Sequence, residues 1–124
     1  MALSTEDRLD ILELVARYNH ALDSGNGNAW ADTFTADGVF ETARGKTEGH
    51  DALVKFVDGF AKNMPGARHW NNNHVIEGDG NKATHTCYLM LVRPGAEAMS
   101  GSRYEDQLAK VDGKWKFIHR SVVS

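Results

Sequence analysis

The chain lacks most of what marks the specialised protein classes. It has one cysteine, Cys87, so it cannot close an internal disulfide, and only two prolines. That cysteine usage fits a reducing compartment. No apolar run approaches the roughly 20 residues that a membrane span needs. The start, Met1-Ala2-Leu3-Ser4-Thr5-Glu6-Asp7, has no basic-then-apolar secretory pattern. Basic charge is not in excess: Lys+Arg is 14 against Asp+Glu 17, a formal net charge of -3. With no basic block, nucleic acid and membrane surfaces are not expected partners. There is no phosphate loop, no nucleophile elbow and no H-E-x-x-H zinc motif. We expect a small soluble protein of the cytoplasm.

What is present is one domain's worth of globular sequence. The 124 residues are 41% hydrophobic and 25% charged, near the globular average. Ser4 and Asp7 form a capping-box start, and Ile11, Val15, Tyr18 and Leu22 recur at helical spacing. The spacing predicts a helix from about Thr5 to Ser24, stopped by Ser24-Gly25-Asn26-Gly27-Asn28. A short helix over 29–35 follows, then a turn at Asp37-Gly38 into a short strand over 39–42. The segment from Arg44 to Gly49 reads as polar turn. Leu53, Phe56, Val57, Phe60, Ala61 and Met64 give the cleanest helical stripe, ended by Pro65-Gly66. Strands are expected over 68–77, 82–92, 102–111 and 115–123, with hairpin turns at Gly78-Asp79-Gly80-Asn81 and Asp112-Gly113 and a break at Arg93-Pro94-Gly95-Ala96. Helices followed by antiparallel strands make an α+β fold: a curved sheet with about three helices across one face, enclosing a pocket.

Four groups could carry chemistry. Tyr18 lies at the centre of the first helical stripe, and Asp23 follows about 140° further round. An aspartate near a helix C-terminus opposes the macrodipole, which points to a role other than helix stability. Arg68-His69-Trp70-Asn71-Asn72-Asn73-His74 opens a strand with three residues that strands disfavour. Strict alternation places His69, Asn71, Asn73 and Val75 on one face and Trp70, Asn72, His74 and Ile76 on the other. Ser102, Tyr104, Asp106 and Leu108 share a face of the next strand. Arg120 falls in line with Ile118 and Val122, at the rim or paired with an anion inside. The six histidines are scattered, and with His69 and His74 on opposite faces no metal site is expected. Cys87 reads as a buried small hydrophobe.

These motifs, in this order, resemble the NTF2-like superfamily and in particular its SnoaL-like branch. The likeness rests on Tyr18-Asn19-His20-Ala21-Leu22-Asp23, on Arg68-His69-Trp70-Asn71-Asn72-Asn73, on Ser102-Arg103-Tyr104-Glu105-Asp106 and on Asp112-Gly113-Lys114-Trp115-Lys116-Phe117-Ile118-His119-Arg120. It implies a cone of curved sheet with three helices, often paired through the sheet. Among lyases of this fold, the chain is similar to scytalone dehydratase at Asp23, His69 and Ser102, though a second essential histidine of that enzyme falls near Gly95 and is absent. It is similar to hexachlorocyclohexane dehydrochlorinase at Asp23, His69 and Arg120, with Tyr18 where that enzyme has lysine. It is similar to bile acid 7α-dehydratase at Tyr18, Asp23, His69 and Arg120.

The resemblance implies a cofactor-independent lyase or isomerase acting on a small hydrophobic, ring-containing molecule. His69 would be the general base, oriented by Asp23, with Tyr18 and Arg120 stabilising developing charge. Trp30, Phe56, Phe60, Asn73, Tyr88, Ser102 and Tyr104 would contact the substrate. Neither metal nor cofactor is expected, and the fold leads us to expect a homodimer or trimer. The alternatives are a non-catalytic binding or assembly module, or a relative of the small subunit of ring dioxygenases.

Overall fold

The computed structural model describes residues 1–95 and 101–124. Helix α1 spans Thr5–Asp23, α2 Gly27–Ala31 and α3 His50–Asn63; strands are β1 Phe34–Thr42, β2 Gly45–Glu48, β3 Arg68–Asp79, β4 Lys82–Val92, β5 Ser102–Val111 and β6 Lys114–Val123. The capping box forms as expected: Ser4 Oγ accepts from the Asp7 amide at 3.0 Å, and Asp7 accepts from the Ser4 amide at 3.3 Å. The six strands make one sheet in the order β2-β1-β6-β5-β4-β3. All neighbours are antiparallel except β1 and β6, which run parallel. That corrects the expectation of a purely antiparallel sheet. Ala96, at the end of the break expected after β4, lies outside the described residues.

Several elements differ from the sequence reading, among them β3, which runs on through Gly78 and Asp79. The short second helix begins two residues early, because Asn26 caps it by accepting from the Ala29 amide. Strand β1 begins at Phe34, and its register against β6 breaks between Phe34 and Val39. Gly38 allows this: a Cβ there would sit 2.7 Å from the Phe34 Cβ. Strand β2 is polar and owes its conformation to pairing with β1. By contrast, β4 and β5 run within the expected bounds, and the Asp112-Gly113 turn has both residues left-handed (φ 51° and 80°), as a tight hairpin requires.

Helix α1 packs against both β3 and β6, and α3 against β1 and β2, so the helices cover one face of the sheet. Between them lies the core, with Ile11, Val15, Tyr18, Trp30, Phe34, Leu53, Val57, Leu108 and Phe117 all buried. No helix among the described residues is long and apolar enough to cross a membrane.

Two bulges decide which side chains enter that interior. In β3, Asn72 faces Tyr88 and Val75 faces Thr86, so Asn73 and His74 together oppose Cys87. Asn73 is left-handed there (φ 58°), which asparagine tolerates. Past it the alternation is inverted: Val75 turns out to solvent at 53% exposure, and Ile76 turns in to the core. His74 shares the inward face with His69, correcting the expectation of opposite faces. In β6, the register against β5 breaks between Leu108↔Phe117 and Gln107↔His119. Ile118 is the extra residue, and Arg120 lands on the same inward face as Trp115 and Phe117.

Candidate active site

Asp23 is the last residue of α1, and the helix stays regular up to it. Its carboxylate accepts twice from the first residues of β3: from the His69 backbone N–H at 3.1 Å and from His69 Nδ1 at 2.6 Å. A carboxylate only accepts, so Nδ1 carries the proton and Nε2 is left as the basic nitrogen. This also explains an acid at a helix C-terminus, where the dipole disfavours it. Both side chains are nearly buried. The Phe60 ring lies tilted over the imidazole, with centroids 5.4 Å apart. The pair borders an open groove of about 420 Å³ formed by Ala16, Asn19, His20, Ser24, Arg68 and Trp70.

Two of the three asparagines after His69 have structural work. Asn71 accepts from Asn19 Nδ2 at 2.6 Å and donates to the Tyr88 carbonyl at 3.2 Å, tying α1 to β3 and β4. Asn73 makes the bulge. It is exposed there and does not hold the pocket-lining place expected of it; His74 takes the inward position.

Tyr18 and Arg120 lie in a different part of the cone. Among the described residues, no hydrogen bond joins either to Asp23 or His69. Tyr18 is fully buried against Trp30, Phe34, Tyr104 and Phe117, its hydroxyl 3.5 Å from that of Tyr104. Burial, reinforced by Tyr104, pushes the Tyr18 hydroxyl well above the ordinary phenol range, and burial pushes Tyr104 up to about 12. Both are protonated donors at neutral pH. Arg120 is also fully buried, which settles the choice between rim and interior. Its Nε donates to Asp106 Oδ1 at 2.9 Å, and its guanidinium lies over the rings of Tyr104, Tyr18 and Phe117 at 3.4, 4.3 and 4.5 Å. Two interior donors, Arg120 Nη1 and Trp30 Nε1, have no partner among the described residues.

Of the expected wall residues, Phe56 and Phe60 stack in line with Trp30 and lead towards His69. Ser102 pairs with Leu89 at the sheet's end and stays half-buried. Tyr88 does not line the cone. It pairs with Asn72 and Arg103 on the outer face at 57% exposure, because its neighbours Cys87 and Leu89 take the inward positions.

A second histidine–aspartate pair escaped the sequence reading. His85 Nδ1 donates to Asp106 Oδ2 at 2.6 Å, with both side chains fully buried, and His74 Nδ1 lies 3.0 Å from His85 Nε2. The signal was available: Ala83, His85 and Cys87 alternate inward as Tyr104, Asp106 and Leu108 do, and His85 faces Asp106 directly.

The model of the SnoaL-like domain matches residues 4–121. The chain belongs to the SnoaL-like family. This SnoaL-like chain is similar to a crystal structure of a protein of unknown function with a cystatin-like fold from Nostoc punctiforme, at 30% identity and TM-score 0.93, covering 100% of this chain and 96% of that one. A candidate aromatic ring hydroxylase from Novosphingobium aromaticivorans is 27% identical with TM-score 0.86, covering 98% and 90%. A candidate scytalone dehydratase from the same organism is 24% identical with TM-score 0.80, covering 94% and 82%, a likeness of fold. No protein of curated function matches the chain.

Proposed function

We propose that this SnoaL-like protein is a cofactor-independent lyase or isomerase for a small hydrophobic, ring-containing molecule, with His69 as general base and Asp23 as the group that orients it. The observation that carries the reading is the double grip of Asp23 on His69. One carboxylate holds the backbone and ring Nδ1 of the same residue, so the imidazole is fixed in one tautomer with Nε2 free. In elimination, Nε2 takes a proton from carbon. The C–H electron pair becomes the new C=C bond, and the C–O bond breaks to release hydroxide, which the same proton converts to water. Asp23 stabilises the imidazolium formed between the two steps. Isomerisation shares the first step and returns the proton to another carbon.

A binding or assembly module is the second reading, favoured by the close packing of Tyr18, Trp30, Phe34 and Phe117 in the cone. A panel of small cyclic β-hydroxy ketones, followed by NMR in D₂O, separates the two. The lyase reading expects water loss, and the isomerase reading α-proton exchange without it. His69→Ala should lower either rate about 100-fold or more. Rates equal in wild type and His69→Ala overturn the proposal.

The proposed setting is the cytoplasm, and the proposed assembly is a homo-oligomer paired through the outer face of the sheet. Trp70, Tyr88 and Met90 are exposed together there, beside a largely apolar hollow of about 710 Å³. Such a patch is the kind that subunits cover.

A further inference from the structure

His74, His85 and Cys87 meet inside the sheet for reasons already in place: the β3 bulge turns His74 inward, and β4 alternation turns His85 and Cys87 inward. One ligand atom from each lies within 4.8 Å of the others. The two imidazoles stack, 22° between planes, with His74 Nδ1 and His85 Nε2 only 3.0 Å apart. Asp106 fixes the proton of His85 on Nδ1, which leaves the Nε2 lone pair pointing at the cluster. A carboxylate behind a histidine is the outer-shell arrangement that orients metal ligands. His74 is exposed, so an ion has a path in.

We propose that His74 Nδ1, His85 Nε2 and Cys87 Sγ form a site for one soft, thiophilic metal ion, Cu(I) in preference to Zn²⁺. Charge decides between the two. Asp106 and Arg120 cancel within the interior, and Arg120 Nη2 lies 3.9 Å from Cys87 Sγ. A Cu(I)–thiolate unit adds no net charge, whereas Zn²⁺ with one thiolate adds a positive charge beside a buried guanidinium, which is unfavourable. Thiolate and imidazole donors without a carboxylate also suit Cu(I). Loading breaks the S–H bond of Cys87 and forms S–Cu, and the proton is released to solvent.

The test is anaerobic titration of the full chain with Cu(I) against a chromophoric chelator, with a parallel Zn²⁺ arm. Wild type should take up one Cu(I), with one sulfur and two nitrogens by X-ray absorption. His74→Ala, a change at an exposed site, should weaken Cu(I) binding at least about 10-fold, within what loss of one supporting group costs a metal site. Cys87→Ser should weaken it further, and His74→Ala carries the test alone if that variant does not fold. No stoichiometric Cu(I) complex, a Zn²⁺ complex in its place, or unchanged affinity in folded His74→Ala overturns the assignment. The readout is metal uptake, so it stands or falls apart from the His69 reading.

Discussion

Asp106 and Arg120 face each other across β5 and β6, Nε to Oδ1 at 2.9 Å, and neither side chain reaches solvent. The pair sits in an aromatic interior, with Tyr104 against the guanidinium. Removing one partner strands the other charge. Arg120→Met and Asp106→Ala should each lower unfolding free energy by about 3–5 kcal/mol, while the double variant should lose less than the sum. Chemical denaturation of the three variants checks this, and additive losses would show that the two groups act independently.

The Asp23–His69 pair gives a prediction that needs no substrate. In wild type, ¹⁵N NMR of the imidazole should show the Nδ1–H tautomer of His69, with its proton strongly hydrogen-bonded. Asp23→Asn turns one oxygen into a donor and should release that preference. With any compound that wild type converts, the same variant should lose about 100-fold or more in kcat with KM little changed. A wild-type ring in the Nε2–H tautomer would contradict the geometry on which the proposed general-base role rests.

Asp7 couples the start of α1 to the β5–β6 hairpin. Its Oδ1 accepts from Trp115 Nε1 at 3.1 Å and from Lys110 Nζ at 3.0 Å. The Trp115 and Lys110 hydrogen bonds hold its carboxyl well below the usual carboxylate range. A folded pKa below the unfolded one, near 4, stabilises the fold above that pH, and the contribution is lost as pH falls below it. Asp7→Asn should therefore be less stable than wild type at pH 7, and the gap should begin to narrow as pH falls below about 4. A gap between the two melting temperatures that does not shrink on acidification would contradict the coupling.

The outer face of β3 and β4 presents Trp70 at 67% exposure with Tyr88 and Met90 beside it. If the proposed homo-oligomer forms through this face, Trp70→Glu together with Tyr88→Lys should sediment as a monomer where wild type does not, and should not lower stability of the isolated subunit, since both rings are exposed. A wild-type chain that sediments as a monomer at all concentrations would remove this face as an interface.

How far the sequence was legible follows from where local rules governed. The capping box at Ser4, the helix centred on Leu53 and Val57 and the Asp112-Gly113 turn each depend on a few adjacent residues, and all three formed, although Ala61 faces solvent and Met64 lies past the end of α3. Asp23 and His69, 46 residues apart, were brought together by family likeness rather than by spacing. Strand β2 was missed because Gly45-Lys46-Thr47-Glu48 has no apolar alternation; its partner makes it a strand. The interior histidines and Arg120 were misplaced or overlooked for one shared reason. Period-2 counting fails at a bulge, and both β3 and β6 contain one. Counted from Trp115 and Phe117, Arg120 would face out; Ile118 as an extra residue turns it in.

The bulge at Asn73 is therefore the residue-level switch on which the inward face of β3 depends, and it can be tested directly. Its φ of 58° is open to asparagine and glycine but strains a β-branched side chain. Asn73→Gly should leave stability within about 0.5 kcal/mol of wild type, and Asn73→Val should cost about 1–3 kcal/mol. Deleting Asn73 should do something different in kind. Without the extra residue, continuous pairing with β4 would carry the phase of His69 and Asn71 on through His74 in Asn73's place, preserving Ile76 inside but shortening the strand by the residue that bends it. The variant should then keep its fold with a flatter β3, and its His74 ring should stay opposite Cys87 and beside His85. NMR contacts between the two imidazoles read this out. A deletion variant that loses them would show that the approach of His74 to His85 needs the bend of the bulge and not only the phase of the strand.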